Sequence, residues 1–153
     1  MKKGILFNLL LVMVLCVATG CGNKIKTYTC KGSSKGDGDL ELTYNYTVKY
    51  KGDDVISINS VETISTSDED DLDYYKEYFE GVYGVLDEKL DHYDNTIKVD
   101  GNKIISETDI DYSKIDVDKF IEANPANAAL FTDGKIKVST VKTVYQQLGL
   151  ECK

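Results

Sequence analysis

The sequence predicts an α+β domain: a mostly antiparallel sheet packed by one long amphipathic helix, with a short C-terminal helix. Three observations carry this. Residues 40–51 alternate apolar and polar side chains and run into a turn, which is the pattern of a half-buried antiparallel strand. Further on, Leu72, Tyr75, Phe79, Val82, Leu86, Leu90 and Tyr93 recur at spacings of three and four, which is a helical stripe. The order of elements is strands, long helix, strands and short helix, without regular βαβ alternation. A length of 153 residues gives room for one domain.

The first twenty residues do not read as part of that domain. Lys2 and Lys3 supply a positive start, and residues 5–17 form an apolar run interrupted by Asn8. This run is shorter than the about 20 apolar residues that a spanning helix needs. Val17, Ala18, Thr19 and Gly20 then lead into Cys21, small residues before a cysteine as in a bacterial lipobox. The expectation is a lipoprotein signal over residues 1–20, a diacylglycerol thioether on Cys21, a short tether over residues 21–26 and a single domain over residues 27–153. A plain secretory signal cut near Gly20 is the alternative. Two acyl chains hold stably where one holds marginally, at about 0.8 kcal/mol per buried CH₂.

Along the domain, residues 27–30 read as a first short strand and the Gly-, Ser- and Asp-containing residues 31–39 as a loop. Leu40, Leu42, Tyr44, Tyr46, Val48 and Tyr50 share the packed face of the next strand. Gly52, Asp53 and Asp54 turn the chain, and residues 55–66 return as a second β-rich run. Ser67 is expected to open the long helix, with four acids at the positive end of its dipole. Gly81 and Gly84 lie off the apolar stripe and mark a bend; Asp94 and Asn95 are expected to end the helix.

Residues 96–99 and 103–112 flank an Asp100, Gly101, Asn102 turn, a second hairpin. Residues 117–122 predict a short helix, and residues 135–138 a short strand. Ser139 reads as the N-cap of the last helix, with Val141, Val144, Tyr145 and Leu148 inward. Gly149 stands where a left-handed C-cap is wanted, with Leu150 as the accompanying apolar contact.

Charge and side-chain chemistry narrow the function classes. A net charge of −8 disfavours a nucleic-acid partner, and removing residues 1–20 leaves the chain more acidic still. Repulsion from anionic headgroups then leaves attachment to the tether. The chain has no Arg and one His, so it lacks an arginine clamp and most routine catalytic sets. Exclusive use of Lys among the strong bases, with abundant Ile, Asn and Tyr, is associated with AT-rich genomes. It points to a Gram-positive organism and the extracytoplasmic face of the cell membrane.

Cys30 and Cys152 remain once Cys16 and Cys21 are assigned to the leader and the lipid. In an oxidising compartment a bond between them is favoured over two free thiols; it would close about 120 residues and be worth about 4–5 kcal/mol. Asp109, Asp111 and Ser113 imitate the start of an EF-hand loop, but Lys114 and Phe120 stand where Gly and Glu are required. No metal site or cofactor is expected, and Asp37 and Asp39 read as solvated loop. Tyr74, Tyr78, Val85 and His92 form a second helical stripe roughly 100° from the first. It is either a flank under a loop or an exposed strip for a partner. His92, in what reads as the last helical turn, suits the dipole and has no nucleophile in a motif beside it.

Taken together, the lipobox, the 40–50 strand, the 52–54 turn, the central helix, the segment from Asp111 to Phe120 with Ile115 and Val117, and the closing Gly149 helix resemble the YehR-like family of small bacterial lipoproteins. The resemblance implies an anchored extracytoplasmic domain and no catalytic residues to carry over. The functional expectation is a non-enzymatic binding or accessory module of the cell envelope, anchored through Cys21 and meeting an envelope protein partner. An envelope hydrolase using paired carboxylates and a weak divalent-cation binder are the alternatives.

Overall fold

The computed structural model describes residues 24–153. The expected signal over residues 1–20 and the expected thioether on Cys21 lie outside the described residues. Three consecutive antiparallel strands, β1 (Ile25–Lys35), β2 (Glu41–Lys51) and β3 (Asp54–Ser65), are followed by the long helix. That helix runs as α1 (Glu69–Phe79), a π-helical turn (Glu80–Gly84) and α2 (Val85–Lys89). A hairpin of β4 (Tyr93–Asp100) and β5 (Lys103–Asp111) comes next, then α3 (Val117–Ala123) and a 3₁₀ turn (Pro125–Leu130). The chain closes with a two-residue hairpin, β6 (Phe131–Thr132) and β7 (Lys135–Ile136), helix α4 (Val138–Gln147) and strand β8 (Glu151–Cys152). The main sheet has the order β4-β5-β3-β2-β1-β8. This is the α+β architecture the sequence predicts, with the helices on one face of an antiparallel sheet.

The pairing register sets four rows of side chains across the covered face, because alternate residues of each strand share a face. The first outer row reads Val99, Ile104, Ile64, Leu42 and Ser34; the other reads Tyr93, Ile110, Ile58, Val48 and Tyr28. Between them run Ile97, Ser106, Glu62, Tyr44 and Gly32, and then Asn95, Thr108, Ser60, Tyr46 and Cys30. The outer rows are mainly apolar and carry separate cores. Helix α1 packs Phe79 on Ile64 and Ile104, whereas β7 and α4 pack Ile136 and Val141 on Val48 and Ile58. A third core joins Leu90, Tyr93, Ile115 and Phe120. The strand residues of the opposite face, including Thr43, Asn45, Asn59 and Glu107, are exposed or half-buried.

Several boundaries differ from the sequence reading. Strand β1 begins at Ile25, inside the expected tether, and continues through Lys35 across the expected loop, because its eleven residues pair without a break with β2. Gly32 in that strand allows close approach: a Cβ there would meet Leu150 Cδ2 at 2.5 Å and turn that side chain aside. Asp68, not Ser67, caps the long helix, its carboxylate accepting from the Asp70 and Asp71 amides at 2.9 and 3.3 Å. The helix ends at Lys89, before the expected Asp94–Asn95 stop, since His92 takes a left-handed backbone (φ 66°) and Tyr93 opens β4.

The π turn also re-aims the stripe. Each of its residues advances less than the about 100° of an α-helix, so Val82 is rotated out and Tyr83 takes its place over Phe79. In α4, Lys137 precedes the first turn with no side-chain cap, so Ser139 is not the N-cap, and Leu148 points outward at 67% exposure. The Gly149 C-cap is as expected. With φ 81° it donates to the Gln146 carbonyl, Leu150 donates to the Tyr145 carbonyl, and Leu150 is buried. That pair of bonds is a Schellman motif.

Candidate binding groove

The two inner rows of the covered face put a carboxylate where a sheet normally buries apolar side chains. Glu62 lies between Ser106 and Tyr44 in register, and its oxygens are held from two sides. Tyr46 donates to Oε1 at 2.6 Å from the neighbouring strand, and Tyr83 donates to Oε2 at 3.1 Å from the π turn. Burial, reinforced by this carboxylate, pushes both phenols far above the ordinary tyrosine range, so they remain donors throughout the physiological range.

Above Glu62 the sheet and the long helix do not close on one another. They leave an open groove of about 360 Å³ with Leu42, Tyr44, Glu62 and Ile64 on its floor. Tyr75, Phe79 and Tyr83 form the helical wall, and Tyr74 and Tyr78 stand at its rim, 62% and 48% exposed. Tyr74 and Tyr75 meet edge to face at 5.2 Å. Tyr44 also borders a second, smaller concavity of about 160 Å³, formed with Tyr46, Leu148 and Leu150. Tyr145 packs on Tyr46, their ring centroids 4.6 Å apart. Glu62 is the one charged residue among those lining the larger groove.

Of the four residues in the expected partner strip, the structure brings Tyr74 and Tyr78 to this rim. Val85 is exposed further along the helix in α2, and His92 lies beyond its end in the turn into β4. The early helix stop is the reason His92 leaves the strip. The sequence reading missed Glu62, Tyr83 and Tyr44 as site residues. Glu62 carries no motif; its position becomes visible once β3 is in register with β2, opposite Tyr44.

Cys30 and Cys152 are joined by a disulfide across β1 and β8. Thr29 and Lys153 exchange both backbone hydrogen bonds at 2.8 Å, so the next pair inward is a non-hydrogen-bonded one, where Cα atoms come closest. The observed Cα separation of 4.0 Å follows from that register.

The acidic loops are taken up by the chain itself. Asp39 accepts from Thr66 Oγ1 at 3.0 Å and from the Ser67 amide at 2.9 Å, tying the β1–β2 turn to the start of the helix. Asp111 accepts from Ser113 and pairs with Lys114 at 2.9 Å. Among the described residues, no group of three or more His, Cys, Asp or Glu is arranged to hold a metal ion. No helix among them is long and apolar enough to cross a membrane.

No family model matches the chain, and no match is found among curated proteins. Two solved structures are similar. The solution structure of Escherichia coli YehR superposes with a TM-score of 0.56 at 17% identity, covering 86% of this chain and 92% of that one. The chain shares the YehR fold. A protein from Streptococcus pneumoniae TIGR4, also solved by NMR, matches with a TM-score of 0.53 at 18% identity, covering 100% of this chain and 97% of that one. The YehR-like resemblance thus holds at the level of fold, over 86% of this chain and 92% of YehR.

Proposed function

We propose that the chain is a lipid-anchored, extracytoplasmic binding module with no catalytic role, and that the groove between the long helix and the sheet is its binding element. The observation that carries the reading is Glu62: a carboxylate on the covered face, fixed by two phenols and open to a tyrosine-lined groove. Small-molecule sites are concave, mostly apolar and furnished with a few fixed polar groups, and this groove has that composition. The apolar leader and the small residues before Cys21 support the anchor. A hydrolase of the paired-carboxylate kind needs two acids facing each other, and the lining of this groove supplies one.

Two measurements test the reading separately. Cells fed an alkynyl fatty acid should label the protein, and Cys21→Ser should abolish the label and release the chain to the medium. Unchanged labelling of the variant refutes the anchor. A photoreactive residue placed at Tyr78 should yield a discrete adduct, read as a defined mass increment on the intact chain irradiated in cells, that the same residue at Val99, on the β4 edge, does not. Equal adducts from both positions, or none from either, refute the groove as the binding element.

A further inference from the structure

The floor of the groove is built from β2 and β3, both interior strands whose backbone groups are paired with neighbours on either side. It offers a ligand no ladder donors or acceptors. Recognition therefore falls to side chains: the rings of Tyr74, Tyr75, Tyr78 and Tyr83, and the carboxylate of Glu62. Among the described residues no Lys lines the groove and none pairs with Glu62, in a chain of net charge −8. Aromatic faces and a fixed anion both attract a cation, the first through the ring quadrupole and the second through Coulomb's law.

The number of hydrogen-bond acceptors then selects among cations. A primary ammonium brings three N–H donors and loses free energy for each one left unpaired on leaving water. Here each carboxylate oxygen already accepts from one phenol, at 2.6 and 3.1 Å, which leaves about two of its roughly four lone-pair sites for a ligand's three N–H donors. A quaternary ammonium has no N–H to satisfy, and its methyl groups pack on aromatic rings. The volume of about 360 Å³ lies in the small-ligand range and suits a trimethylammonium head with a short chain.

We propose that this groove binds a small solute bearing a quaternary ammonium group, its methyl groups against Tyr74 and Tyr78 and its charge above Glu62. The proposal rests on the reading of the groove as a binding element and adds the ligand's chemical class.

The test uses the full chain in detergent, followed by aromatic-proton NMR and tyrosine fluorescence. Three probes are titrated: choline, its primary-amine counterpart ethanolamine, and the neutral isostere of choline in which carbon replaces nitrogen. Choline should saturate in the millimolar range and shift groove tyrosine signals, with the other two about tenfold weaker or more. Glu62→Gln should weaken choline about tenfold and leave the neutral isostere unchanged. Tyr74→Leu, at a rim position 62% exposed, should weaken choline several-fold, and Val99→Ala should do neither. A neutral isostere binding as tightly as choline overturns the ammonium assignment and leaves the groove reading standing. Tighter binding of ethanolamine overturns the quaternary assignment alone. If no probe moves a groove signal the ligand class is wrong, and the photocrosslinks from Tyr78 and Val99 decide separately whether the groove binds anything.

Discussion

Reduction of the Cys30–Cys152 bond gives the most quantitative test of how this fold is held. The bond closes a loop of 122 residues, nearly the whole described chain. On the chain-entropy model, such a crosslink removes about 5 kcal/mol of freedom from the unfolded ensemble. Part of that returns on reduction, because β8 pairs with β1 over two residues only and can fray. Fraying has its own cost: Leu150 leaves Gly32 and Tyr46, and the hydrogen bonds between Thr29 and Lys153 open. A net loss of about 3–5 kcal/mol is expected. With about 2.1 cal/mol/K per residue over the described chain, that lowers the melting temperature by about 10–18 °C.

The assay is thermal unfolding followed by circular dichroism with and without reductant, with alkylation and mass spectrometry to count free thiols. Native-state hydrogen exchange should show the Thr29 and Lys153 amides losing protection first. A fully reduced protein melting within about 3 °C of the oxidised one would refute the assignment of stability to this closure. Alkylation of Cys30 and Cys152 without reductant would refute the bond itself.

Other outcomes follow from individual contacts. Glu62→Leu alone strands two phenol donors and should cost about 1–3 kcal/mol by urea denaturation; adding Tyr46→Phe and Tyr83→Phe should restore or exceed the original midpoint. The Tyr28 hydroxyl is buried without a hydrogen-bond partner and burial pushes it up to about 12, so Tyr28→Phe should be neutral or stabilise by about 1 kcal/mol in the same assay. Asp39 and Asp54 are held below the usual carboxylate range, Asp39 by hydrogen bonds from Ser67 and Thr66 and Asp54 by those from Lys135 and Lys137. Their folded forms bind fewer protons than their unfolded forms between the two pKa values, so their contribution is complete above about pH 4 and falls as pH drops through the lowered values. Urea midpoints from pH 5 to pH 2 should decline less steeply in Asp39→Asn than in the parent. Finally, Gly149→Ala meets a left-handed φ of 81° and should destabilise by about 1–2 kcal/mol, whereas Gly81→Ala, in helical backbone with nothing within 4 Å, should stabilise by about 0.5–1 kcal/mol, both read as melting temperatures.

How much of this was legible beforehand depends on whether the signal was local. Alternation placed Tyr44, Tyr46 and Val48 on one face of β2, and turn and cap chemistry placed both main hairpins and the Gly149 C-cap, because each signal is written within a few residues. The continuation of β1 through Lys31–Lys35 was hidden because polar residues there are paid for by pairing with β2, a tertiary effect that local propensity does not record. The exchange of Val82 for Tyr83 needed the π turn, which has no reliable local code. Glu62 was concealed for a related reason. Ser60, Glu62 and Ile64 share a face, and a polar-polar-apolar sequence on alternate positions does not look like a packed strand until its partners are known.

The two polar rows divide into halves that differ in how they are satisfied, and that difference bears on what Glu62 is for. Toward β4, Asn95 donates to Ser106 Oγ at 3.1 Å and Thr108 Oγ1 at 2.8 Å, closing a neutral network in which Ser106 and Thr108 are buried. Toward β2, the acceptor is a carboxylate, and its surroundings open into the groove. A sheet that merely needed a polar spacer between its cores already has one, made of short uncharged side chains at no cost in desolvated charge. Placing a charge in the other half sacrifices stability that Leu or Met would supply, and the two phenols that secure it add further polar groups to the covered face. Packing alone does not account for that choice. On the proposed reading the choice has a use, because a fixed negative charge facing tyrosine rings is the complement of a bound cation.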